Sequence, residues 1–333
     1  MSLLNLITDV PGLLVGQAED RRLASGVTVL LFDRPAVASV AVPGGAPGSR
    51  DTRLLDPEMT VPAVDALVLS GGSAYGLDAA SGVQAWLRER GRGLRVGSAL
   101  VPIVPQAICF DLLNGGDKDW GRYPPYRELA YEAAGRAGRE VALGSVGAGH
   151  GATTVNLKGG TGSASAVTAS GFTVGALAVV NAIGSAVVGG GPHFWAAPWE
   201  RGDEFGGLGS KARLDPSDLR PSWKGARVNG TTIAAVATDA ALTPSEAKRL
   251  AVMATAGLAR ALRLTFAPFD GDTVFAAATG TRPGPADLTE LGAEAADCLA
   301  RAVARGVYEA TALNPTQPPG WKQIFGEDLA AGS

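Results

Sequence analysis

The sequence predicts a mixed α/β fold, and two features of the chain support that prediction. Short β-prone runs alternate with longer segments in which apolar residues recur at helical spacing. Many of the 46 glycines fall at the ends of these runs, where tight turns need a residue without a Cβ. With 333 residues, 46% of them apolar, the chain can bury the core of one large domain or two medium ones.

The N-terminal part contains most of the predicted strands. We predict strands at 27–32, 37–42, 66–70 and 94–104, and helices at 74–88 and 126–139. Residues 159–191 carry no charge and are long enough to suggest a membrane span, which needs about 20 apolar residues. Because this stretch is rich in Gly, Ser and Thr, we predict instead a β-rich strand pair at 172–180, buried between layers, and no membrane partner.

The C-terminal part is predicted to be a long loop followed by strand, helix, strand and helix. Residues 189–230 are rich in Gly, Pro, Trp and charge, and long loops of this kind are often linkers or lids. A strand is expected at 231–237, and Thr243, Pro244 and Glu246 have the spacing of a capped helix start. That helix should end near Leu262, before a strand at 273–278 and a helix at 288–309.

Composition excludes several functional classes. A net charge of −3 gives no basic field for nucleic acid, and the first residues lack the basic start of a signal peptide. Cys109 and Cys298 form no CxxC pair, which fits a reducing cytoplasm and no metal site. With two histidines and no Gly-x-Ser-x-Gly motif, a Ser-His-Asp triad is not expected. The glycine-rich runs at 70–76 and 147–152 lack the lysine or helix of a nucleotide site, so no cofactor is predicted.

The junction Gly230-Thr231-Thr232 is ordinary in itself, and most such junctions are structural. Its position is more informative, because a long loop ends in a glycine directly before the first hydroxyl of a strand. Attack of the Thr231 hydroxyl on the Gly230 carbonyl, then an N-to-O acyl shift and hydrolysis, would free the Thr231 amine. An α-amine with a pKa of about 7.7–8.0 can accept the hydroxyl proton near neutral pH without histidine. We therefore predict self-cleavage between Gly230 and Thr231, with Thr231 as the nucleophile.

A series of motifs extends this prediction to nearly the whole chain. The region from Asn229 to Leu242 contains Thr-Thr-Ile-Ala-Ala-Val-Ala-Thr-Asp-Ala-Ala-Leu, and further motifs lie at 9–12, 44–48, 69–76, 101–112, 147–152 and 157–162. In order and number they resemble the family of L-aminopeptidase D-esterase, the β-aminopeptidases and the nylon-oligomer (6-aminohexanoate) endohydrolase. That family also shares its self-cleaving threonine chemistry with ornithine acetyltransferases.

The resemblance implies a fold and an assembly. It implies one four-layer α-β-β-α sandwich over 1–333, cut into a large chain 1–230 and a small chain 231–333 that remain together. It also implies an oligomer, with a tetramer of such heterodimers expected. The residue before the nucleophile is often asparagine in the family, whereas here it is Gly230, as in the aminopeptidase branch.

The resemblance also implies the site residues. Thr231 aligns with the nucleophile and Asn181 with an asparagine that donates to the developing oxyanion. Asp270 and Asp272 resemble the acidic pair of the nylon-hydrolase branch, and their spacing of two would place both on one side of an extended strand. Lys158 lies in a lysine-glycine-glycine motif of the family. Phe110 stands where some members have a tyrosine, so the hydroxyl is missing.

The resulting hypothesis is a cytoplasmic, self-processing amidase for short peptides, β-peptides, amino-acid amides or nylon-type oligoamides. Two alternatives stay open from the sequence. One is an acyltransferase, in which an amine acceptor would outcompete water. The other is an uncleaved binding or scaffold protein.

Overall fold

The computed structural model describes residues 3–225 and 230–330. Within that part of the chain the strands are Leu13–Asp20 (β1), Ser25–Ala41 (β2), Ser49–Arg50 (β3), Val64–Ser70 (β4), Leu94–Val96 (β5), Ala99–Val101 (β6), Gln106–Ile108 (β7), Thr161–Val167 (β8), Thr173–Asn181 (β9), Thr231–Ala240 (β10) and Thr273–Arg282 (β11). The helices are Ser73–Gly76 (α1), Ala79–Glu89 (α2), Tyr126–Gly135 (α3), Pro244–Ala261 (α4), Leu288–Tyr308 (α5) and Trp321–Ala330 (α6).

A single hydrogen-bonded sheet provides both β layers. Its strand order is β3-β7-β4-β2-β11-β10-β9-β8, and β1 pairs with β2 outside this path. The first half of β2 pairs with β1 and β4, whereas its second half pairs antiparallel with β11. The pairing register shifts between Leu31 and Ala36, so a bulge in β2 lets the same strand run from one layer into the other.

Three hydrophobic cores separate four layers. The alternation of side chains along β10 shows this directly, because Ile233 and Ala235 face the core between the two β layers while Ala234 and Val236 face the helices. Helices α4 and α5 cover the outer face of β8 to β11, and α2 and α3 cover β1, β2 and β4. The α-β-β-α order expected from the family resemblance is therefore confirmed.

The C-terminal elements agree best with the sequence prediction. Helix α4 begins with the expected capping box, in which the Thr243 hydroxyl accepts the Glu246 N–H while the Glu246 carboxylate accepts the Thr243 N–H. Helix α5 ends at Tyr308, one residue before the expected end. Helix α6 was not predicted.

Several N-terminal boundaries were wrong. The strands predicted at 27–32 and 37–42 are one strand, because the exposed Asp33-Arg34-Pro35 run forms the bulge of β2 rather than a break. The strand predicted at 94–104 is a short hairpin, β5 and β6, which is not paired with the main sheet. The helix predicted at 74–88 is divided into α1 and α2, and α3 ends at Gly135 rather than at 139.

The uncharged stretch at 159–191 contains β8 and β9. The prediction of buried β structure there was right, although 172–180 forms one strand, β9, rather than a pair. Antiparallel pairing of β9 with β8 and β10 satisfies its backbone groups inside the fold. Among the described residues, no helix has the length and apolarity that a membrane crossing requires.

Candidate active site

Thr231 is the first residue of β10 and is 4% exposed. Its hydroxyl donates a hydrogen bond to the carbonyl oxygen of Gly230, the residue before it. The same oxygen accepts the backbone N–H of Gly271 at 3.2 Å. A hydroxyl nucleophile and a backbone donor therefore meet at one carbonyl group, which is the arrangement that acyl transfer requires.

Glycine at positions 230 and 271 allows the Thr231 hydroxyl and the Gly271 N–H to approach the Gly230 carbonyl closely. A Cβ on Gly230 would lie 2.2 Å from the backbone nitrogen of Ile183, too close for any side chain without a backbone shift. A Cβ on Gly271 would lie 2.9 Å from the Thr231 hydroxyl oxygen. The packing thus explains why this chain has glycine directly before Thr231. Asn229, which precedes Gly230, lies outside the described residues.

Asp270 and Asp272 are both buried in the turn that leads into β11, next to the start of β10. Asp272 is held by two backbone donors, since its oxygens accept the N–H of Thr232 at 2.7 Å and of Phe266 at 3.0 Å. Asp270 pairs through its backbone with Gly230 in a parallel bridge. The acidic pair that the resemblance implies therefore lies in the turn before β11 rather than within a strand.

The two carboxyl groups differ in how readily they lose their protons. Burial, together with the nearby charge of Asp272, raises the pKa of Asp270 to about 8. Burial also raises the pKa of Asp272, but the backbone donors of Phe266 and Thr232 oppose that rise. Asp272 is therefore the member that loses its proton first, and Asp270 holds its proton near neutral pH. One buried oxygen of Asp270, Oδ1, has no partner among the described residues.

Asn181 is the last residue of β9 and lies directly opposite Thr231 in the antiparallel pair. Its Oδ1 accepts the N–H of Thr153 at 3.0 Å and the ammonium of Lys224 at 3.2 Å. Its Nδ2 donates to the carbonyl of Phe110 at 2.8 Å. These contacts fix which way the amide points and, among the described residues, leave its second N–H without an acceptor.

Lys158 is fully buried, and its ammonium contacts the backbone of the loop that carries Thr153. Its ammonium donates to the carbonyls of Gly149 at 3.2 Å and of Ala152 and Gly159 at 2.7 Å. Burial lowers the pKa of Lys158 to about 7, although three carbonyl acceptors favour the charged form. These contacts hold together residues 149–159, the loop whose Thr153 donates its N–H to Asn181.

The sequence analysis missed Lys224. It lies in the long loop before β10, and its ammonium donates to the carbonyl of Thr153 at 2.8 Å and to both oxygens of Asn181 at 3.2 Å. Desolvation of the ammonium lowers the pKa of Lys224 to about 8. No local pattern marks this residue, because only the fold of the loop brings it to Asn181.

A cleft of about 90 Å³ opens beside Asn181 and Lys224. Phe110 and Leu113 form its apolar wall, and Gly151 and Thr153 contribute backbone from the loop at 149–159. Phe110 takes part in the site through its carbonyl and supplies no hydroxyl. Among the described residues there is no cluster of three or more side chains suited to hold a metal ion.

Fold and site together define an N-terminal-nucleophile hydrolase, with a four-layer sandwich and a strand-initiating hydroxyl against the carbonyl before it. Residues 5–317 match the model of peptidase family S58, and the chain belongs to that family. It is therefore a hydrolase of peptide or amide bonds, and neither the acyltransferase nor the scaffold alternative is favoured.

Comparisons with individual proteins agree. An uncharacterized aminopeptidase of Mycobacterium tuberculosis is 45% identical over 92% of this chain and 94% of its own length. A 6-aminohexanoate-oligomer endohydrolase of a Kocuria species is 27% identical over 89% of this chain and 84% of its own. The structure of an L-aminopeptidase D-Ala-esterase/amidase from Ochrobactrum anthropi, described as a variant of the Ntn hydrolase fold, superposes with a TM-score of 0.69. The two sequences are 22% identical, and the superposition covers 98% of this chain and 94% of the Ochrobactrum anthropi chain. This match shows that the two proteins share a fold.

Proposed function

We propose that the chain cuts itself between Gly230 and Thr231 and then hydrolyses amide bonds with the new N-terminal threonine. The observation that supports this most directly is the Gly230 carbonyl oxygen, which accepts both the Thr231 hydroxyl and the Gly271 N–H. The Thr231 oxygen attacks the Gly230 carbonyl carbon, the C–N bond breaks as the hydroxyl proton moves to the Thr231 nitrogen, and the acyl group is transferred to oxygen. Water then hydrolyses the ester, leaving a carboxylate on Gly230 and an amine on Thr231.

In turnover the freed amine of Thr231 takes the proton of its own hydroxyl as that oxygen attacks the substrate carbonyl. The amide C–N bond then breaks, the proton passes to the leaving amine, and water hydrolyses the acyl-threonine ester. The unpartnered Oδ1 of Asp270 is the acceptor available for that amine, and Asp272 keeps Asp270 in place. The second N–H of Asn181 and the backbone N–H of Gly271 hold the developing oxyanion. Lys158 supports the loop on which Thr153 lies and has no direct role in bond making.

The proposed substrates are short peptides, amino-acid amides and linear oligoamides of the 6-aminohexanoate type. The cleft beside Asn181 is small, with an apolar wall at Phe110 and Leu113 and polar groups around it, which favours a short amide over a folded protein. The names of the related aminopeptidases and endohydrolase support the same range. We further propose that the protein acts in the cytoplasm, as a homo-oligomer of cleaved heterodimers, on the basis of the family resemblance.

The test is to follow the purified protein on a denaturing gel and to sequence the products. Cleavage should give a small chain of about 10 kDa, since 103 of the 333 residues of this 33.7 kDa chain follow Gly230. Its N-terminal sequence should read Thr-Thr-Ile, and amine release from the three substrate classes should follow its appearance. A chain that stays whole after long incubation, without amidase activity, would overturn the proposal.

Gly230→Asn should slow self-cleavage by about tenfold or more, even though asparagine is common before the nucleophile in the family. The added side chain would start 2.2 Å from the Ile183 nitrogen and so push the Gly230 carbonyl away from Thr231 and Gly271. The measurement is the rate constant of precursor loss on a gel. Gly138→Ala is the control, since a Cβ there meets nothing closer than 3.9 Å. Faster cleavage by Gly230→Asn would show that the site accommodates a side chain.

A further inference from the structure

We propose that Lys224 is a positioning residue of the active site, holding the Asn181 amide in the orientation that acyl transfer to Thr231 needs. The proposal rests on the self-cleavage proposed above and assigns a role to the loop before β10. Lys224 would then belong to the active site as well as to the segment that precedes the cut.

The contacts of Lys224 converge on Asn181 and on its neighbour Thr153. The ammonium has three hydrogens, and it meets the Asn181 side-chain oxygen, the Asn181 carbonyl and the Thr153 carbonyl within 3.2 Å. Thr153 in turn donates its N–H to the Asn181 side-chain oxygen. A flipped amide would bring its NH₂ group against both the ammonium and this N–H, so two donors exclude the wrong orientation.

The correct orientation matters because of where Asn181 lies. It is paired directly across the sheet from Thr231, and Phe110 occupies one of its two amide hydrogens. The other hydrogen is the one that can reach an oxyanion, and it is presented only while Oδ1 faces Lys224 and Thr153. The positive charge of Lys224 polarises the amide in the direction that strengthens this donor.

Lys224 is anchored independently of the bond that is cut. Its backbone N–H donates to the carbonyl of Ile183 at 3.0 Å, and the three ammonium contacts add to that anchor. Hydrolysis after Gly230 therefore leaves Lys224 in place, a few residues from the end of the large chain. The same positioning then applies to self-cleavage and to turnover.

The groups around the ammonium set its pH range. Burial lowers the pKa of the Lys224 ammonium to about 8, and the nearby Lys158 acts in the same direction. Cys109, Asp270 and Asp111 act against this lowering when they are ionised. As pH rises through this value the ammonium is lost, and Asn181 keeps only the Thr153 donor on its side-chain oxygen. The contribution of Lys224 is thus present below about pH 8 and lost above it. In the uncut chain Thr231 has no free amine. Asp270, whose pKa is also about 8, is unchanged in every Lys224 variant, so a difference between the variants reports on Lys224.

The test uses the rate constant of self-cleavage, because it needs no assumption about the substrate. Full-length chains are made by cell-free synthesis and followed on a gel between about pH 6 and pH 10. Lys224→Met, which keeps the length of the side chain and removes the charge, should cleave at least tenfold more slowly than the wild type below about pH 8. The difference should narrow above that pH, where the wild type also loses the charge. Lys224→Arg keeps a charge that does not titrate, and the cleft beside Lys224 gives the guanidinium room. Its rate should therefore decline less than that of the wild type at alkaline pH.

The controls separate the possible outcomes. Lys211→Met removes a lysine of the same loop that pairs with Asp218 at 2.6 Å, and should cleave at the wild-type rate. Melting temperatures are compared in the Thr231→Ala background, where every chain stays whole. Wild-type rates in Lys224→Met, or an unchanged alkaline decline in Lys224→Arg, would overturn the positioning role. A wild-type chain that never cleaves would instead overturn the proposed function.

Discussion

Thr231→Ala is expected to leave the chain whole and to abolish amide hydrolysis. The substitution removes the only hydroxyl that contacts the Gly230 carbonyl among the described residues, and with it the atom proposed to attack both bonds. A loss of at least about 10⁴-fold is expected, since without the nucleophile and its amine only binding and the oxyanion donors remain. The measurements are precursor loss on a gel and amine release from the substrate classes above.

Thr232→Val is the matched control for this experiment. Thr232 is the next residue, fully buried, and its hydroxyl has no partner among the described residues. Valine has nearly the same shape and keeps the backbone N–H that Asp272 accepts, so cleavage and turnover should continue. Cleavage that persists in Thr231→Ala and disappears in Thr232→Val would show that Thr232, rather than Thr231, is the nucleophile.

Asp270→Asn is expected to separate self-cleavage from turnover. Near neutral pH Asp270 already holds a proton, so a neutral amide reproduces its state in the uncut chain, and cleavage should stay within about tenfold of the wild type. Turnover should fall by at least about 100-fold, because an amide cannot ionise and so cannot pair with the Thr231 amine when that amine gains the hydroxyl proton. Both rates are measured on one preparation, by gel and by amine release.

Asp272→Asn provides the contrast. Both oxygens of Asp272 accept backbone N–H groups, so an amide would turn its NH₂ against one donor and disturb the turn. Cleavage and turnover should therefore fall together in this variant. Equal turnover in Asp270→Asn and the wild type would show that the amine does not depend on Asp270.

The pH dependence of stability gives an independent check on Asp270. Its folded pKa of about 8 lies above the unfolded value of about 3.9, so the stability it contributes is present at low pH. That contribution is lost as pH rises between these two values. In the Thr231→Ala background, Asp270→Asn should raise the melting temperature more at pH 8 than at pH 5.

The proposed site residues could be named from the sequence because the motifs that carry the family resemblance contain them, and each also lies in a distinct local context. Thr231 follows a long irregular loop, Asp270 and Asp272 flank a turn glycine, and Asn181 interrupts an apolar run. Their meeting depends on contacts between residues far apart in the sequence. The pairing of β10 with β9 and β11, and the bridge from Gly230 to Asp270, bring these three segments together.

The boundaries that were wrong share a physical cause. Periodicity reports which side chains are buried, but it does not report how strands pair. In β2 the charged Asp33-Arg34-Pro35 run resembles a break, yet pairing on both sides keeps the strand continuous. Residues 94–101 have the composition of a buried strand, but they form an exposed hairpin because no neighbouring strand pairs with them.

The sequence by itself determined the α/β class, the elements β10, α4, β11 and α5, the family and the threonine at the start of β10. These depend on local patterns and on the order of motifs, which can be read without coordinates. Only the tertiary structure decided that Lys158 binds backbone carbonyls while Lys224 contacts Asn181, and that Gly230 has no room for a side chain. Lysine and glycine have no periodicity to indicate a role, so what each does follows from the atoms that the fold places around it.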